Sequence, residues 1–276
     1  MGKVKIKRKS TLIDMTAMSD VTVLLLTFFM LTSTFLQKEP VVVETPSSVQ
    51  EQKVPTSNVT NILVSPTGEV FIAVTGEADP DASAIYAKEQ NPNISDKEYL
   101  AEKGKWASDS IRKDIVKQVI LDYAEAKGVS PASLNLSDAD IAQFAKIGNF
   151  GMPIEDIKKF LSLSQVEQDQ VFTKFASMTP EQKAAWNADR NNVRVGIPMP
   201  EAGKGLNEFQ LWMRAIKKVA MRDYPNFDSA MKKGEGIAIK ADKRTPFATI
   251  HPVLDNLQTI KMNKFTLMTA LKSQDQ

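Results

Sequence analysis

The sequence predicts an α+β protein: a single N-terminal transmembrane helix, then a small α+β sheet domain carrying a large helical insertion. Three observations predict it. Residues 17–36, "AMSDVTVLLLTFFMLTSTFL", form one nearly unbroken apolar run. The stretch "NVTNILVSPTGEVFIAV" sets two β-rich runs around Ser65-Pro66-Thr67-Gly68. From about 80 to 205 the spacing becomes helical, and "GIAIKAD" at 236–242 then restores a strand pattern. The boundaries read as a basic N-terminus at 1–16, a span at 17–36, an extended linker at 37–57 and the α+β domain at 58–276.

The span comes first. Met18 to Leu36 is nineteen residues, about 28 Å at a rise of ~1.5 Å per residue, which matches the hydrocarbon thickness of a bilayer. The preceding "MGKVKIKRK" carries Lys3, Lys5, Lys7, Arg8 and Lys9 and no acid, whereas "QKEPVVVE" beyond the span is of mixed charge. The positive-inside bias therefore places the N-terminus in the cytoplasm and everything after Leu36 across the membrane. The run is longer than a signal-peptide core, and "TSTFLQKEP" offers no small-x-small cleavage pattern, so the segment reads as an uncleaved anchor crossing once.

Composition excludes several functions. With 35 basic and 33 acidic residues the net charge is only +2, so no nucleic-acid partner is expected. The absence of cysteine removes disulfides, thiolate catalysis and cysteine-held metals, and one histidine, His251, rules out a multi-histidine metal site. No nucleophile–base pair, glycine-rich phosphate loop or metal-ligand spacing is present, so neither an enzyme nor a cofactor is expected.

Asp20 is the anomaly. A carboxylate at the centre of a membrane helix costs ~2.5–3.5 kcal/mol on insertion scales. Asp20, Thr27 and Thr34 recur every seven residues, so they share one stripe with about 20° of drift per heptad. A polar seam of this kind suits a neighbouring helix or a thin wet path, and a carboxyl on it can gain and lose a proton. The plainer reading makes Asp20 a boundary residue at the headgroups, with each threonine bonded to its own helix backbone.

The linker "PVVVETPSS" allows one short strand at Val41–Glu44. The next run is a β-hairpin, with Pro66 second and Gly68 fourth in its turn. Ser95 to Gly128 reads helical, and "PIEDIKKFL" gives another short helix. In "MTPEQKAAW" Thr179 is an N-cap, Pro180 the first helical residue and Gln182 the partner of a capping box. Asn207 caps "EFQLWMRAIKKVAM", whose Phe209, Trp212, Met213, Ile216 and Ala220 form a core-facing stripe. Trp186 and Trp212 are packing residues on this pattern. His251 reads as a surface residue in the first turn of a helix, ahead of Pro252. Asp242 and Arg244 read as a turn, and "KFTLMTA" as a closing strand. Helices are expected on one face of the resulting sheet.

The residues "LIDMTAMSDVTVLLLTFFMLTS" resemble the ExbD/TolR family, the single-span subunits of proton-driven motors, in which an Asp leads a Val/Leu-rich run. The resemblance assigns Asp20 the family's proton-carrying role. It departs at Thr16-Ala17, where the family usually has Thr-Pro. It resumes in "GIAIKADKRTPFATIHPVLDNLQTIKMNKFTLMTAL" as a closing strand–helix–strand unit. By that resemblance the chain would be a homodimer within an ExbB/TolQ-type pentameric ring of the bacterial inner membrane. Its periplasmic domain would act on TonB or a TolA-like periplasm-spanning protein, in TonB-dependent outer-membrane transport. A membrane-anchored periplasmic adaptor without a proton role is the other reading.

Overall fold

The computed structural model of the chain describes residues 15–32, 47–48, 57–77, 80–101, 103–199, 206–268 and 270–271. The chain divides into two units, Met1–Lys38 and Glu39–Gln276. The described part of the first is one helix, α1, Met15–Thr32, free of Gly and Pro and rich in Leu and Met. Its 18 residues span about 27 Å at ~1.5 Å each. Of the span expected at 17–36, the described residues reach Thr32 and are helical throughout, and residues 33–36, Thr34 among them, lie outside the described residues. Among the described residues no helix is long and apolar enough to cross a membrane.

The second unit begins with β1 (Ser47–Ser48), β2 (Val59–Val64) and β3 (Val70–Thr75). The strand expected at Val41–Glu44 lies outside the described residues. β2 and β3 form the expected antiparallel hairpin, in register from Val59↔Thr75 to Val64↔Val70. Its turn closes as the Gly68 N–H donates to the Ser65 carbonyl at 3.1 Å. Gly68 has φ +97°, a conformation that costs a side-chain-bearing residue dearly.

Helices α2 (Pro80–Gln90), α3 (Asp96–Ala101), α4 (Lys103–Lys127) and α5 (Asp138–Ala145) follow. A two-residue strand, β4 (Asn149–Phe150), precedes a 3₁₀ turn at Ile154–Asp156 and helices α6 (Ile157–Leu161), α7 (Gln165–Ala176) and α8 (Pro180–Ala188). The chain closes with α9 (Glu208–Asp223), α10 (Pro225–Lys233), β5 (Ile237–Ala241), α11 (Phe247–Thr259), β6 (Thr266–Leu267) and β7 (Ala270–Leu271). The main sheet runs β4-β3-β2-β5-β6, and β1 pairs separately with β7. β5 lies parallel to β2, with Thr60 opposite Ile237, and β6 parallel to β5.

Helices on one face was the expectation; the structure corrects it. Val70, Phe71, Ile72, Ala73 and Val74 are all buried, which requires both faces of β3 to be covered. Alternate residues point to opposite faces. The Phe71 ring meets Phe172 of α7 at 6.2 Å, whereas Val74 borders Arg112, Phe144, Phe150 and Trp212. The continuous apolar run "VFIAV" carried this signal, and a one-sided sheet would have alternated.

The described residues between 80 and 199 build this core rather than hang from it. β4 pairs with β3, Ile72 opposite Phe150. Beside it the Gly196 N–H donates to Gly151 O at 2.8 Å and the Ile197 N–H to Val70 O at 2.9 Å. A Cβ at Gly151 would fall 2.2 Å from the Phe71 ring, so only glycine permits this approach. Phe150 lies 4.5 Å from the Trp212 ring and 5.2 Å from Phe144, giving the unit an aromatic nucleus. The Thr179 capping box and the Asn207 cap form as read from the sequence, and Gln210 completes a box at Asn207 that was not read there.

Two local readings shift. α11 starts at Phe247, after Pro246, so His251 stands beyond the first turn and Pro252 lies inside the helix. The missing Pro252 N–H interrupts the ladder, and the Asn256 side chain donates to Pro252 O at 2.7 Å just below it. The expected strand "KFTLMTA" is divided: it holds β6, which serves the main sheet, and ends at the first residue of β7, which serves β1.

Candidate functional site

Asp20 is the sixth residue of α1, and its side chain is exposed. So is every described side chain from Met18 to Phe28. The apolar ones, Val21, Val23, Leu24, Leu25, Leu26 and Phe28, are between 52 and 62% exposed. Burying such a side chain is worth ~1.5–3 kcal/mol, so six exposed together make a surface suited to an apolar surrounding. Within that surface Asp20 is the charged group.

Thr27 lies two turns on, and its hydroxyl donates to both Val23 O and Leu24 O at 2.9 Å. It is therefore engaged with its own helix. Thr22, which the sequence reading did not single out, does the same with Met18 O. A hydroxyl bonded to the i−4 carbonyl satisfies itself inside an apolar medium, at a slight cost to the helix. Of the expected seam, the structure thus brings Asp20 and Thr27 onto one helix, and Thr34 falls outside the described residues.

The second unit offers no rival site from the residues that sequence reading picked out. His251 is exposed, its Nδ1 2.8 Å from the Asp255 carboxylate one turn along. Asp242 is buried and accepts from the Arg244 backbone N–H and Nε, each at 2.9 Å, which makes it the organiser of a tight turn. Trp212 is wholly buried, and Trp186 donates its indole N–H to Val193 O at 2.9 Å, so both pack. Among the described residues no group of His, Asp or Glu is disposed to hold a metal ion.

One buried charge pair went unread. Arg112 of α4 pairs with Asp109 one turn back and donates to Val74 O at 2.8 Å, and its Nε reaches Ala145 O. Burial pushes the Asp109 carboxyl up despite the guanidinium beside it, and burial pulls Arg112 down. The pair ties α4 to the end of β3 and to α5. Its only trace in the sequence is a charge interrupting the apolar stripe of "SIRKDIVKQVI".

The arrangement defines a class: a folded α+β unit on a chain whose N-terminal helix presents one carboxylate on an otherwise apolar surface. Residues 7–121 are similar to the family described as Biopolymer transport protein ExbD/TolR. The match covers the basic N-terminus, α1, the hairpin and most of α4. The closing stretch at 236–271, which also resembled the family, lies outside it. No curated protein matches the chain, and no solved structure matches it. The family so matched is one of biopolymer transport proteins.

Proposed function

We propose that the chain is the proton-carrying, single-span subunit of an inner-membrane motor that converts proton motive force into work on a periplasm-spanning protein. The observation that carries this reading is Asp20: a single carboxylate on an exposed, apolar helix, inside the segment matched to a biopolymer-transport family. In this reading residues 17–36 cross the membrane once. The N-terminus is cytoplasmic and residues 37–276 are periplasmic, as the basic residues before Asp20 favour.

Asp20 takes a proton from the periplasmic side and releases it to the cytoplasm. One elementary charge moved through 100 mV is worth ~2.3 kcal/mol, enough to bias a rotation or rocking step. One helix cannot enclose a proton path alone, so a homodimer inside an ExbB/TolQ-type pentameric ring supplies the other walls. Asp20 then faces that ring, and TonB or a TolA-like protein receives the movement. Thr27 and Thr34 line the same stripe; the Thr27 hydroxyl, bonded to its own backbone, contributes shape and low polarity rather than a proton relay.

Asp20→Asn tests the proposal, because it keeps shape and hydrogen bonding but carries no proton. Membrane insertion and co-purification with the ring partner should be normal while transport falls to background. Transport at the wild-type level would instead identify an anchored adaptor with Asp20 at the headgroups. Growth of a deletion strain on scarce iron or cobalamin separates TonB-type from Tol-type duty.

A further inference from the structure

We draw no further inference here: the strongest candidate, the open groove between α2, α4 and α5 that Lys113, Lys117 and Lys146 line together with Glu89 and Asp138, carries both signs of charge, and nothing in the structure selects what would occupy it.

Discussion

Val21, Leu24 and Phe28 of α1 are more than half exposed, whereas Phe209, Trp212 and Ile216 of α9 are wholly buried. Both helices are rich in large apolar side chains, yet they carry different patterns. α9 gathers its apolar residues, Met221 apart, on one side and puts Lys217, Lys218 and Arg222 elsewhere, so folding can bury that side inside the unit. The described part of α1 is apolar on nearly all sides, and no single neighbouring element could cover it. The second unit meets much of its polarity internally: Arg112 pairs with Asp109, Thr179 caps α8 and Phe150 meets Trp212. The exposed apolar side chains of α1 are why the proposal above gives its carboxylate a function, whereas the buried, paired Asp109 reads as architecture.

The sharpest way to break that contrast is Asp20→Asn. It should abolish transport while leaving the denaturation midpoint of the second unit unchanged, and a lowered midpoint would show that the two regions do not act separately. Trp212→Ala is the mirror case. It empties the space between Phe144 and Phe150 and should cost ~3–5 kcal/mol in chemical denaturation, followed by loss of the tertiary circular dichroism signal. Thr179→Ala removes one oxygen of a capping box and should cost about 1 kcal/mol in the same measurement. Thr27→Val should do least. Its hydroxyl only bonds its own helix, so stability should not move and transport should stay within about twofold. A large transport loss at Thr27 would restore the hydroxyl relay set aside above.

Most of the local structure was legible beforehand. The Pro66 and Gly68 positions announced the turn, Thr179 and Asn207 announced their helices, and the spacing of Phe209 to Ala220 announced a buried stripe, all of which the fold contains. The candidate site was legible too, since Asp20 stands out by chemistry alone. The misreadings were at places where position depends on a distant partner. The first turn of α11 was set too late because Pro252 looked like a start signal, whereas Pro246 supplies it. The closing strand divided because two separate partners, β5 and β1, compete for adjacent residues.

By itself the sequence determined what depends on neighbours within a few residues: an apolar helix with one acid, a hairpin, capped helices and the face each would bury. These follow from dihedral preference, capping and periodicity, which act over one or two turns. Only the tertiary structure decided that β2 pairs with β5, that β4 and the Gly196 segment close the β3 edge, and that Tyr123, Glu155, Arg194 and Glu208 converge. Such contacts join residues whose spacing carries no periodic signal. They are selected by the free energy of the whole core once loop-closure entropy has been overcome.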